Sequence, residues 1–140
     1  MNKFKNVRNR LKSQNLNTPA IQVSSVLKKP KFSFEFLSGK YCLSNCESRE
    51  KAEIISTLHK LSQHSWQEIY QLGKSGIGYE QIDLSQLRCS YPHDNTFLNL
   101  DKFTVFHKAS KIPIIGFKIE EIYYIFCIDR TFDAYDHGGS

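Results

Sequence analysis

The densest polar chemistry in the chain is the run Asp129-Arg130-Thr131-Phe132-Asp133-Ala134-Tyr135-Asp136-His137-Gly138-Gly139. The Arg130 guanidinium is able to bind a phosphate in bidentate fashion. The His137 imidazole changes charge near neutrality and suits general acid or base work. Tyr135 can stack on a base or donate a proton. His107, in Phe106-His107-Lys108, completes a set with these three if its strand neighbours theirs. A plainer reading stands beside this one. Asp129-Arg130 before an aromatic makes a good polar turn, Tyr135 can pack with a wet hydroxyl, and His137 can be a tail residue. The residue types alone leave both readings open.

A second constellation is Cys42, Cys46, His59 and His64, spaced C-x3-C-x12-H-x4-H. Two thiolates on a knuckle and two imidazoles on a helix can build a tetrahedral zinc site, and this spacing fits the finger formula. A finger also needs its own small apolar core. Glu50 stands at the usual aromatic position and Ser56 at the usual leucine position. The spacing is therefore read as coincidence, with a zinc-dependent nucleic-acid binder as the competing possibility. No metal or cofactor is expected. The chain has no G-x-S-x-G, H-E-x-x-H, Walker or dinucleotide fingerprint. Lys74-Ser75-Gly76-Ile77-Gly78 reads as a turn with two glycines, and His93 beside Pro92 as exposed loop. Glu120-Glu121 and the Asp133, Asp136 pair read as a turn and a solvated edge.

These residues need elements to hold them. Lys31 to Phe36 alternates strictly, which predicts a half-buried strand with Phe32, Phe34 and Phe36 on one face. Ser48 predicts the N-cap of a helix over about 49–63, with Ile54, Leu58 and Leu61 at i, i+4 and i+7. Ser65-Trp66-Gln67-Glu68 fits a capping box, so a second helix starts at Trp66, with Gly73 as its C′ residue. A strand is predicted from Tyr79 to Leu87. Two more hold Phe103, Val105 and Phe106, and then Ile112, Ile114, Ile115 and Phe117. Glu120-Glu121 turns the chain into Ile122 to Ile128. That run, IYYIFCI, is apolar on both faces and marks a central covered strand. Phe132 and Tyr135 suggest a short final strand. The order is strand, two-helix hairpin, then a C-terminal antiparallel β-meander with the helices on one face, an α+β fold.

The chain has 140 residues, one domain's worth, and 40% of them are hydrophobic, so wholesale disorder is excluded. No run approaches 18 uninterrupted apolar residues, so no membrane association is expected. The formal net charge is +5, and it is concentrated. Residues 1–31 carry Lys3, Lys5, Arg8, Arg10, Lys12, Lys28, Lys29 and Lys31 and no acid, which leaves the remainder at −3. Residues 1–30 thus read as a basic flexible arm on a single α+β domain, 31–140. Such an arm can bind a polyanion through phosphate contacts and counterion release. It can equally be a solvated tail, or dock on an acidic protein. Within it, Ile21 and Val23 suggest a short extended segment. The absence of an apolar leader predicts a cytoplasmic, reducing location, where Cys42, Cys46, Cys89 and Cys127 stay as thiols.

The element order and the stretch Ile114 to His137, IIGFKIEEIYYIFCIDRTFDAYDH, resemble the RelE/ParE-type toxin fold. The likeness lies in the last strand pair: a hairpin, an aliphatic strand, a basic residue and a late tyrosine. It covers roughly 32–137 and leaves the arm out. The resemblance implies a small toxin that cuts messenger RNA without metal, with RNA or the ribosome as target and an antitoxin as protein partner. It assigns Arg130 as phosphate clamp, Tyr135 as orienting group and His137 as acid or base. The competing expectation is a non-catalytic binding module whose arm docks on nucleic acid or an acidic protein.

Overall fold

A computed structural model of the chain describes residues 24–92, 100–108 and 111–137. Lys3, Lys5, Arg8, Arg10 and Lys12, the extended segment expected at 21–23, His93 and Gly138-Gly139 lie outside these residues. Strand β1 is Lys31–Ser33, helix α1 Ser48–Leu61, helix α2 Trp66–Ile77, and strands β2 to β5 are Tyr79–Asp83, Lys102–Phe106, Ile114–Ile119 and Ile122–Ile128. The five strands form one sheet in the order β1-β5-β4-β3-β2. From β2 to β5 each strand pairs antiparallel with the next, which is the expected meander. β1 pairs with β5 in parallel, Phe32 opposite Tyr123, so the sheet is mixed. The fold is α+β with both helices on one face. Among the described residues no helix is long and apolar enough to cross a membrane.

The helix face is built as the periodicity dictates. Ile54, Leu58 and Leu61 of α1 and Trp66, Ile69 and Ile77 of α2 pack on Phe106, Ile114, Tyr123 and Ile125 of the sheet. Burying a side chain of this size contributes roughly 1.5–3 kcal/mol. Ser65 caps α2 as expected: its hydroxyl accepts the Glu68 N–H at 3.2 Å, and the Glu68 carboxylate accepts the Ser65 N–H at 3.2 Å. α1 differs by one residue. Its N-cap is Glu47, whose N–H donates to the Glu50 carboxylate at 2.8 Å, and not Ser48. The C-terminus of α2 also differs. Gly73 takes a positive φ of 63° and kinks the helix, but a last turn continues to Ile77, and Gly78 at φ 79° is the left-handed cap.

The opposite face is covered without helices. Phe103, Val105, Ile115, Phe117, Phe126 and Cys127 point into it from the strands, and Tyr135 and Ala134 close over them. Phe126 and Cys127 share this face because the β4–β5 register shifts between Ile115 and Gly116. That is the signature of a bulge, which re-aims side chains along a strand. The three phenylalanines of the first strand do not share a face. β1 stops at Ser33, the Leu37 N–H donates to the Phe34 carbonyl at 3.1 Å, and the chain turns around the sheet edge. Phe32 therefore packs on the helix side, Phe36 against Phe117 and Tyr124 on the other, and Phe34 is exposed. The strand expected to reach Leu87 ends at Asp83, followed by a 3-10 turn at Leu84–Gln86. No strand forms at Phe132. Tyr135 makes a single antiparallel bridge to Leu87.

Residues 24–30 are tied to this body. Val26 packs on the helix-side core, and the Lys28 carbonyl accepts the Trp66 N–H at 3.0 Å.

Tyr123 joins the layers. Its hydroxyl donates to the Thr104 carbonyl at 2.8 Å, with the Ile114 carbonyl 3.1 Å from the same oxygen. Its ring lies where a Cβ on Gly116 would sit, 2.6 Å away, and the Tyr124 carbonyl would be at 2.4 Å. Gly116→Ala is expected to destabilise the fold by about 3 kcal/mol or more. A shift of that size in the urea midpoint at unchanged m checks this.

Candidate active site

The candidate cluster is assembled where β2 and β3 meet the C-terminal tail. In register, Glu80 faces Val105, and Val105 points away from the helices. Glu80 and Ile82 lie two apart on one strand, so they share that face. His107 follows Phe106, which points toward the helices, so the imidazole falls on the same side as Glu80. The close approach of α2 to this strand end depends on Gly78. The His107 N–H donates to the Gly78 carbonyl at 2.9 Å, and a Cβ at Gly78 would lie 2.9 Å from the His107 carbonyl carbon.

The tail is brought over this face by Asp129. Its carboxylate is fully buried and accepts the backbone N–H groups of Asp133 and Ala134 at 3.0 and 3.1 Å. Burial pushes the Asp129 carboxyl above its ordinary range, while those two N–H groups pull it back down. Phe132 takes a left-handed φ of 59° in the turn and stays exposed. Beyond it, the Arg88 N–H donates to the Ala134 carbonyl at 2.8 Å, and the Asp136 N–H to the Gln86 carbonyl at 2.7 Å. This short ribbon lays Tyr135 across β2 and β3.

Three of the four residues expected to form the site meet here. The Tyr135 hydroxyl lies 3.1 Å from the Glu80 carboxylate and 3.3 Å from His107 Nδ1. The Tyr135 and His137 ring centroids are 3.9 Å apart, and those of His107 and His137 are 5.5 Å apart. Lys74 Nζ stands 3.3 Å from the other Glu80 oxygen. The protons can be placed by elimination. A carboxylate only accepts, so the phenol donates to Glu80 and accepts from His107 Nδ1–H. That fixes the neutral tautomer with its lone pair on Nε2. Burial first, and then the neighbouring His137, hold the His107 pKa below its ordinary value. Burial and Glu80 hold the Tyr135 phenol well above its own. The arrangement is an oriented neutral imidazole beside an exposed second one.

Arg130 does not join them. Its Nε donates to Glu50 Oε1 at 3.0 Å, its Nη2 lies 3.0 Å from the same oxygen, and Glu47 is 3.9 Å away. The guanidinium closes the N-terminal turn of α1, where carboxylates favoured by the helix dipole attract it. The phosphate clamp expected of Arg130 is thus not offered to the imidazoles. Asp133 is likewise engaged elsewhere: Lys40, Thr131 and Tyr41 surround its carboxylate at 2.7, 2.6 and 3.1 Å and hold its pKa far down. Of the arm lysines within the described residues, Lys28 and Lys31 flank Glu121 at 4.0 and 3.7 Å, and Lys29 is exposed. Cys46 is buried in the helix-side core, His59 is exposed on α1 and His64 pairs with Glu68 at 3.3 Å. No group of three or more potential ligands is placed to hold a metal ion among the described residues. The cysteines there are free thiols.

Glu80 and Lys74 are site residues that the sequence reading missed. One signal was present: Glu80 alternates with Ile82 on an inward face, where an acid needs a partner. Nothing in the spacing links it to Tyr135, 55 residues on. No family model, curated protein or solved structure matches this chain.

Removing one cause of the His107 shift should move it back. His137→Gln is expected to raise the His107 pKa toward its ordinary value of about 6.5, read by NMR titration of the ring protons. A folded-state pKa below the unfolded one means the unfolded chain takes the proton first. The His107 contribution to stability is therefore intact above about pH 6.5 and is lost as pH falls below it. Arg130→Ala is expected to lower Tm without changing that titration, since it unpins α1 and leaves the imidazoles alone.

Proposed function

We propose that the protein engages RNA and cleaves its phosphodiester backbone by general acid–base catalysis, as a RelE-like endoribonuclease toxin would. The observation that carries this reading is the pair of imidazoles 5.5 Å apart over one phenol. Cleavage through the ribose 2′-hydroxyl needs one group to take the 2′-OH proton and another to protonate the departing 5′-oxygen. His107 Nε2, kept neutral by burial and oriented by Tyr135 and Glu80, is the base. His137, exposed beside it, is the acid. The 2′-oxygen attacks phosphorus, the P–O5′ bond breaks, and the products are a 2′,3′-cyclic phosphate and a free 5′-hydroxyl. We assign to Lys74, whose Nζ pairs with Glu80 at 3.3 Å, the charge-stabilising role that the sequence reading gave to Arg130. Phe132, exposed with its ring centroid 6.0 Å from that of His107, offers a face on which a base can stack.

The test is incubation of purified full-length protein with labelled single-stranded RNA, free or on ribosomes, in the presence of a chelator. Cyclic-phosphate ends are expected. His107→Ala and His137→Ala should each lower the rate by 10²-fold or more, the usual scale for losing a positioned acid or base. Tyr135→Phe should cost less and shift the pH profile, because it frees the tautomer rather than removing a reacting group. RNA that is bound yet intact would favour the non-catalytic binding module, and RNA neither bound nor cut would reject both.

A further inference from the structure

We infer that a small lysine-ringed cleft at the end of β3 holds a backbone phosphate of the RNA strand, away from the scissile one. This rests on the RNA reading above and deepens it. The cleft lies between α1, the last turn of α2 and the start of β4. Its volume is about 70 Å³. That is far below the roughly 300 Å³ at which small-molecule pockets begin, and it equals the space of about two waters. It suits a tetrahedral oxyanion and not a base. Its floor is Phe106, Ile77 and Ile112, and its rim carries Lys60, Lys108 and Lys111.

The charge is unspent. Among the described residues neither Lys60 nor Lys111 has an acidic partner within ion-pair distance. Lys108 Nζ is held by the Gly76 carbonyl at 3.1 Å, which aims it at the cleft. The Lys111 N–H donates to the Lys108 carbonyl at 2.9 Å, which holds the two lysine backbones close. The nearby acid is Glu53, one of whose oxygens accepts the Ile112 N–H at 2.8 Å, so three ammonium groups stand against a single carboxylate. Ser56 adds a hydroxyl from α1, while the Thr57 hydroxyl spends its proton on the Glu53 carbonyl at 3.0 Å. Three ammonium groups over an apolar floor would be poor design for stability, since like charges repel. They are good design for an anion that neutralises them.

The cleft and the imidazoles share one anchor. His107 is bonded through its backbone to Gly78, and Lys108 through its side chain to Gly76. Successive residues of a strand point to opposite faces. A single strand of RNA crossing the end of β3 thus meets lysines on one side and the imidazole pair on the other.

The probe is a fluorescein-labelled oligouridylate, with a 2′-deoxy version that the 2′-hydroxyl mechanism cannot cut. Lys60→Glu/Lys111→Glu is compared with Arg49→Glu/Lys51→Glu, an equal charge change roughly 13–17 Å from Lys60 along α1 at 1.5 Å per residue. The cleft variant is expected to weaken binding of the deoxy probe by tenfold or more. It should also flatten the salt dependence by about 0.7 in log–log slope for each lost phosphate contact. The control variant should stay near wild type, and His107→Ala should bind normally while failing to cut. Circular dichroism melting confirms that each variant is folded. Equal weakening by both charge reversals, or unchanged binding in the cleft variant, overturns the cleft while leaving the cleavage reading intact. A wild-type protein that binds no RNA overturns both, and one that binds through the cleft without cutting overturns only the catalysis.

Discussion

Tyr123 is the fixed point of this molecule. Its phenol is fully buried on β5, yet its oxygen is bonded to carbonyls on β3 and β4. Its ring meets Phe32 of β1 at 6.4 Å, Trp66 of α2 at 6.1 Å and Phe106 of β3 at 5.3 Å, each close to edge-on. That geometry suits the aromatic quadrupole. One side chain therefore ties four strands and a helix together, and burial holds its proton on far above the usual phenol range. The cost is the side chain at position 116. Only a glycine leaves room for the ring, and the register shift lies directly beside it.

The bulge has a second effect. It turns Phe126 and Cys127 to the helix-free face, which makes that face apolar enough to need a cover. Loops and the tail provide it. The tail is held by the buried Asp129 carboxylate at one end and by the ribbon to Gln86 and Arg88 at the other. Two imidazoles, a phenol and a carboxylate come together as a by-product of closing a hydrophobic surface. Rigid support of this kind is what a reacting constellation requires.

Much of this architecture was legible in the residues. The run Ile122 to Ile128 marked a strand covered on both sides, and Ser65 with Glu68 marked the start of α2. The convergence of His107, Tyr135 and His137 rested on β3 and the tail being neighbours, and they are. What was hidden was decided by long-range contact. The alternation of Phe32, Phe34 and Phe36 says strand, but a turn after Ser33 wraps the chain around an edge, and local pattern cannot report an edge. Gly73 looked like a helix end because it has the right type. Packing of the last turn against His107 moved the end to Gly78. Arg130 looked like a ligand group because it sits at a strand exit. The carboxylates of Glu47 and Glu50, some 80 positions earlier, claimed it.

The short ribbon between 86–88 and 134–136 is held by main-chain bonds, from the Arg88 N–H to the Ala134 carbonyl and from the Asp136 N–H to the Gln86 carbonyl. Bonds of this kind do not depend on which side chains stand at those positions. The residues beside the cluster can therefore be exchanged while Tyr135 stays docked across β2 and β3.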